Sequence, residues 1–245
     1  MKALVVLPTY NESADVLRLI EALLATSVAP DVCVVDDSSP DATSAIVAAA
    51  ITEREGWASR VRLVTREKKA GRGGAVREGL RRGLESDSYT MFVEMDCDFS
   101  HDPGDLEVGT ALLEHGLDVA IGARYPNGTI IGWPVSRRIF SRLANMLARA
   151  LIDWSVPDYT NGFRFYNRRA AEAILAEPQR HTGYIYLSET VAVCLRAGLT
   201  IASFPIVFRN RERGESNTDF HEIVAAMVGI FDVARWYRTN GRRRP

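Results

Sequence analysis

Five short apolar runs constrain the fold before anything else: ALVVL (3–7), VCVVD (32–36), VRLVT (61–65), YTMFVEM (89–95) and DVAIGA (118–123). Helical patterns separate them, at residues 14–26, 43–54 and 74–84 and in a segment opening near Pro103. Strands that are apolar throughout are buried on both faces. The pattern therefore predicts an α/β fold, a mostly parallel central sheet flanked by helices. Ligands on such sheets bind in the loops at the carboxyl ends of the strands.

Those loops carry the residues that look chemical: PTYNE (8–12), DDSSPD (36–41), GRGG (71–74) and DCDFSHD (96–102). In the last, Asp102 or Ser100 before Pro103 is good helix-capping chemistry. Asp96 and Asp98 lie too far upstream for that. Two carboxylates one residue apart at a strand end suit a hard cation, and Mg²⁺ or Mn²⁺ there would neutralise a diphosphate. In the second loop Asp41 or Ser39 reads as a cap. Asp37, more than Asp36, is placed to accept from a base or ribose hydroxyl. Tyr10 reads as a stacking platform for a nucleobase, or PTYNE as a plain turn capped by Asn11 or Ser13. GRGG lacks both the Walker and the GxGxxG spacing. It does permit close backbone approach to an anion at a helix N-terminus, and Gly73 is assigned to donor binding on that ground.

The second half is less regular. A basic helix over 135–152 precedes a turn, DYTNGFRFY (158–166); then come a helix to about Ala197, a strand over 199–208 and a closing amphipathic helix over 220–237. With no repeat and no linker, the chain reads as a single domain, 1–245. Within it, 1–123 carry these loops, 124–218 make a second half, and 219–245 a C-terminal helix and basic tail.

Composition narrows the partners. Thirty Lys and Arg against 31 Asp and Glu leave a net charge of −1, which argues against nucleic acid. Three cysteines without metal spacing fit a reduced, cytoplasmic setting. The opening apolar run is too short for a signal peptide, and the longest one, 223–231, is about half a membrane span.

Taken in order, VVLPTYNE, VDDSSPD, GRGGA, MDCDFSHDP, GARY, RRIFSRLAN, DYTNGFRFY, GYIYLSE and RERGES resemble the family 2 glycosyltransferases of the GT-A nucleotide-diphospho-sugar fold. Within that family they look most like the polyprenol-phosphate (dolichol-phosphate) mannose synthases, which implies a nucleotide-sugar-binding half over 1–123 and an acceptor half over 124–218. The resemblance implies an inverting, metal-dependent transfer of mannose from GDP-mannose to a polyprenyl phosphate. It implies that Pro8, Tyr10, Glu12, Val35 and Asp37 hold the nucleoside, and that Asp96, Asp98 and Ser100 (often Gln in relatives) meet the metal and diphosphate. It also implies that the backbone of Cys97 runs along the donor, that Arg124 and Arg137 grip the acceptor phosphate, and that Arg211 lies near the donor phosphates. Asp98, Arg124 and Arg137 are then the catalytic set. Arg164 reads instead as structural, paired with Asp158 or Glu189.

Three departures stand out: cysteine at position 97 where relatives usually have alanine, TNGFR for TSGFR, and GESN for GESK, which leaves Asn217 without a cation. The rival enzyme reading uses another nucleotide sugar and a hydroxyl acceptor, with Asp102, Asp158 or Glu189 as the base. The rival of another class is a nucleotide-binding sensor. The closing helix, with Phe220, Ile223, Val224, Met227 and Phe231 on one face, reads either as core or as an interfacial helix. The second reading places Trp236, Tyr237 and the terminal arginines at headgroups, with peripheral attachment at the cytoplasmic face or a membrane partner subunit.

Overall fold

A computed structural model of the chain describes residues 2–211 and 220–240, without side chains for 220–227 and 240. The elements run β1 (Ala3–Thr9), α1 (Val16–Leu24), β2 (Asp31–Asp36), α2 (Thr43–Glu53), α3 (Trp57–Arg60), β3 (Val61–Thr65), α4 (Arg72–Leu84), β4 (Met91–Glu94), α5 (Leu106–Glu114) and β5 (Val119–Ala123). There follow β6 (Thr129–Ile131), α6 (Val135–Leu151), β7 (Arg164–Asn167), α7 (Arg168–Ala176), α8 (Tyr186–Arg196), β8 (Ile201–Pro205), β9 (Val207–Arg209) and α9 (Phe220–Asn240).

Seven strands form one sheet in the order β3-β2-β1-β4-β7-β5-β8, parallel except for β7, which runs antiparallel to both β4 and β5. Alternate side chains feed two cores, because successive residues of a strand face opposite ways. Leu4, Val6, Cys33, Val35 and Phe92 pack on one face with Leu80 of α4 and Val191 of α8. Val5, Leu7, Val32, Val34 and Val93 pack on the other with Leu19 and Leu23 of α1 and Leu106 of α5. The predicted sheet covered on both faces is what forms.

Four local expectations change. RFYN (164–167) is strand β7, where a turn was expected through Tyr166, since Phe165 joins one core and Tyr166 the other. The run 199–208 is two strands in two sheets. The Ile206 N–H donates to the Ala123 carbonyl while its own carbonyl accepts from Thr129, so the chain crosses at that residue to pair β9 with β6. Helix α4 starts at Arg72 rather than Gly74, placing Gly73 within its first turn. Elements α3, β6 and α7 were not expected at all.

The closing helix is present as α9, but Phe220, Ile223, Val224 and Met227 carry no described side chains, and the terminal arginines and Asn217 lie outside the described residues. Of the rest, Ile230, Val233 and Ala234 are buried, with Trp236 and Tyr237 packed against them, whereas Val228 and Phe231 are exposed. Among the described residues no helix is long and apolar enough to cross a membrane.

Candidate active site

The loops after β1, β2 and β4 meet at one edge of the sheet, around a cavity of about 310 Å³. Pro8, Tyr10, Glu12 and Asp37 lie on its wall, as do Asp96, Cys97, Asp98 and Ser100, and Arg124, Arg137 and Arg211. Two of the predicted residues do not. Val35 is buried in the core, pointing away between β2 and its covering helices. Gly73 faces Tyr186, whose ring a Cβ there would meet at 2.5 Å, so its missing side chain serves helix packing.

The adjacent aspartates of the second loop divide their work. Asp36 is fully buried and accepts from Thr9, Ser39 and Ser44, knitting the loop together. Asp37 turns toward the cavity. One oxygen takes Arg66 Nη1 at 2.7 Å; the other accepts the backbone N–H groups of Ala70 (3.0 Å) and Gly71 (2.9 Å). It thereby clasps the glycine-rich turn against the end of β2. Asp41 is not the cap, since Ala42 holds the N-cap position of α2 without a side-chain cap bond; Asp41 instead accepts from the Thr43 N–H and from the Ser13 N–H of the first loop. Beside them Lys69 Nζ sits 3.8 Å from the centroid of the Tyr10 ring, a cation–π contact.

At the end of β4 the carboxylates are held by arginines. Arg72 reaches Glu94 at 2.9 Å and Asp96 at 3.1 Å, and donates to the Gly162 carbonyl. Burial pushes the Asp96 carboxyl up, but Arg72, His101, Arg211 and Arg124 outweigh it and the net shift is downward, so Asp96 stays ionised. Asp98 accepts the Ser100 N–H at 3.0 Å and lies 3.1 Å from Arg211. Glu12, 3.9 Å from Arg211, is pushed up to about 8 by burial, with repulsion from Asp98 and Asp96 adding to the effect.

This donor set fits a hard divalent cation. Asp96 and Asp98 present oxygens to the cavity, and the Ser100 Oγ is buried without a hydrogen-bond partner. Among the described residues no group of three or more His, Cys, Asp or Glu side chains gathers as a metal cage. Mg²⁺ and Mn²⁺ sites of the nucleotide type need none, since one or two carboxylates are completed by substrate phosphates and water.

Two further arginines line the same cavity. Arg124 is buried and doubly hydrogen-bonded to Asp158, with Thr160 as a further acceptor at 2.6 Å. Arg137 has no ion pair among the described residues and stacks 4.2 Å from the Trp133 ring. Partial burial, with the charges of Arg124 and Arg211, holds its pKa below the usual arginine value.

Arg164 corrects an expectation. It is fully buried, as a structural arginine should be, but it donates to the carbonyls of Asn161 (2.9 Å), Leu187 (2.5 Å) and Tyr159 (2.8 Å) rather than to a carboxylate. Of its expected partners, Asp158 belongs to Arg124, and Glu189 accepts the backbone N–H groups of Arg180 and His181.

Arg72 is the residue the sequence reading passed over. It lies inside GRGG, whose glycines suggest only backbone freedom. An arginine opening a helix opposite two acidic strand-end residues was the available signal. His101 was missed too: buried, it contacts Asn161 through Nε2 at 3.0 Å and stacks on Phe163.

The model of the family described as "Glycosyl transferase family 2" matches residues 4–175. The polyprenol monophosphomannose synthase of Mycolicibacterium smegmatis is 34% identical over 96% of this chain and 86% of its own length. The undecaprenyl-phosphate mannosyltransferase of Micrococcus luteus is 34% identical over 96% and 94%. Among solved structures, glucosyl-3-phosphoglycerate synthase from Mycobacterium tuberculosis, in complex with Mn²⁺, UDP and glucosyl-3-phosphoglycerate, superposes with a TM-score of 0.66. It is 21% identical, over 96% of this chain and 79% of that one, a likeness of fold.

Proposed function

The chain belongs to glycosyl transferase family 2, with the GT-A fold, and is a glycosyltransferase; on that premise we propose that it moves mannose from GDP-mannose to the phosphate of a polyprenyl phosphate. The observation that carries this reading is one cavity lined by both a carboxylate pair, Asp96 and Asp98, and a pair of arginines, Arg124 and Arg137. The named relatives, which are a polyprenol monophosphomannose synthase and an undecaprenyl-phosphate mannosyltransferase, support the same sugar and acceptor class.

In this proposal Pro8, Tyr10, Glu12 and Asp37 form the nucleoside end, and the Cys97 backbone follows the donor. Asp96, Asp98 and Ser100 hold Mg²⁺ or Mn²⁺, which when bound supplies charge neutralisation at the departing diphosphate. Arg211 passes from Asp98 to the donor phosphates. Arg124 and Arg137 orient the acceptor phosphate, one of whose oxygens attacks the anomeric carbon in line. The bond from that carbon to the diphosphate oxygen breaks as GDP leaves.

A phosphate monoester arrives as an anion and needs no strong base; positioning and charge stabilisation suffice. That suits a site whose three candidate bases are engaged elsewhere. Asp158 is bound to Arg124, Glu189 to the 180–181 backbone, and Asp102 to the Gly104 N–H. A membrane-borne acceptor places the enzyme peripherally at a bilayer. The test is product analysis: GDP-mannose, Mn²⁺ and polyprenyl phosphate should yield an organic-soluble mannosyl phosphate. Equal product from UDP-glucose would refute the donor, and sugar transferred only to a hydroxyl acceptor would refute the acceptor.

A further inference from the structure

Arg72 opens α4, yet its guanidinium works at three places outside that helix. Nη2 lies 2.9 Å from Oε1 of Glu94, which is fully buried at the end of β4. Nη1 lies 3.1 Å from Oδ1 of Asp96, on the cavity wall. Nη2 also donates to the Gly162 carbonyl at 3.1 Å, and a Cβ on that glycine would run into the same nitrogen. The turn that contains Gly162 holds another part of the site. Its Asp158 and Thr160 accept from Arg124, and its Asn161 Oδ1 meets Nε2 of His101 at 3.0 Å. His101 brings Nδ1 to 4.0 Å from Oδ2 of Asp96. Two consecutive residues of one turn, Asn161 and Gly162, thus reach the two sides of the Asp96 carboxylate, through His101 and Arg72.

We infer that Arg72 is a positioning residue for the transfer: it fixes the Asp96 carboxylate and the 158–162 turn in one register, and so sets the cation and the acceptor phosphate relative to each other. That role rests on the proposed function, with Asp96 at the cation and Arg124 at the acceptor phosphate. Fold stability accounts for the contacts with Glu94 and Gly162, both of which are buried. It does not account for the contact with Asp96, whose side chain is 32% exposed where it meets the cavity. The Arg72 side chain itself is only 13% exposed and is tied at Glu94 and Gly162, so it stays in place beside Asp96. A carboxylate free to rotate must be ordered when a ligand binds, and one already braced by a planar guanidinium gives up less. Outer partners of this kind orient metal ligands and tune their affinity.

The test is calorimetry of Mn²⁺ binding in the presence of GDP, and of binding of a short polyprenyl phosphate to the protein holding both. It compares the wild type with Arg72→Lys and with Arg72→Leu/Glu94→Gln. The lysine keeps the charge and loses the fork. The double variant removes the arginine without stranding the Glu94 carboxylate, so if one variant fails a circular-dichroism check the other decides. Each should bind Mn²⁺ about tenfold more weakly, and the lipid phosphate severalfold more weakly. Removing a neighbouring positive charge would by itself tighten the cation, so weakening in the double variant reports geometry. Unchanged or tighter Mn²⁺ binding by a folded variant overturns the proposal. So does weaker Mn²⁺ binding with unchanged lipid-phosphate binding, which confines Arg72 to Asp96 and breaks the link to the turn. A wild type that binds Mn²⁺ and GDP but no lipid phosphate would defeat the acceptor reading, and the Mn²⁺ measurement would still decide for or against Arg72 as the brace of Asp96.

Discussion

Arg124 lies along Asp158 in a two-point pair, Nε to Oδ2 and Nη2 to Oδ1, both at 2.9 Å, and its own backbone N–H donates a third bond to Oδ2 at 3.0 Å. Both side chains are buried, so the carboxylate fixes the plane of the guanidinium at the cavity wall. Removing one partner strands a buried charge. Asp158→Ala is expected to cost about 3–5 kcal/mol in denaturant unfolding. Arg124→Lys, which retains the charge but loses the fork, should still lower kcat/KM by tenfold or more, on the order of the ~1.4 kcal/mol that one oriented contact contributes.

Glu12 gives a pH signature. Its folded pKa, about 8, lies above the ordinary carboxylate value because of burial first and the Asp98 and Asp96 charges next. The folded state therefore binds more protons than the unfolded one between the two values. Its stabilising share is complete below about 4.3 and is lost as pH rises through about 8. In chelator-treated protein, Glu12→Gln should be more stable than the wild type at alkaline pH, by about 2 kcal/mol, and should flatten the decline. Parallel stability–pH curves for the two proteins would count against this.

If Asp98 holds the proposed cation, Arg211 competes with it for that carboxylate. Arg211→Ala removes the competitor at 3.1 Å, so binding of Mn²⁺ alone should tighten severalfold, read by tryptophan fluorescence or calorimetry. If Arg211 also meets the donor phosphates, the same variant raises the KM for the nucleotide sugar about tenfold, the worth of one charge-assisted hydrogen bond. A fall in both affinities would mean that Arg211 does no more than shape the loop.

Gly73 separates packing from binding. Its absent Cβ makes room for the buried Tyr186 ring, so Gly73→Ala should destabilise by about 1–3 kcal/mol. Donor affinity of the folded protein should hardly change. A large affinity loss at unchanged stability would support the donor-binding assignment instead.

These sites also mark how far the sequence carried. The five strands were legible because most are short, nearly unbroken apolar runs, and β3, despite exposed Arg62 and Thr65, keeps Val61, Leu63 and Val64; the order of loops at their carboxyl ends followed from parallel pairing. The cavity-lining carboxylates were legible because a charge ending an apolar strand has few bland explanations. Strand β7 was not, since its Arg164 and Tyr166 satisfy their polar atoms inside the protein, a long-range arrangement that leaves no periodic trace. The partner of Arg124 was likewise invisible, because Asp158 lies 34 residues away and packing brings the two together. Arg72 was hidden differently: glycines around it drew the reading toward backbone conformation, and its role depends on Glu94 and Asp96 from another strand. Val35, named on the resemblance alone, has its side chain in the core, because a motif match says nothing of which way a strand turns that side chain.

The most direct measurement of the central claim is GDP release from GDP-mannose with Mn²⁺ or Mg²⁺, in the presence and absence of a short polyprenyl phosphate. Release that requires the lipid phosphate, and that chelator or Asp96→Ala reduces by two or more orders of magnitude, is the expected result. Release that the lipid phosphate does not stimulate, or that proceeds equally after metal removal, would contradict it.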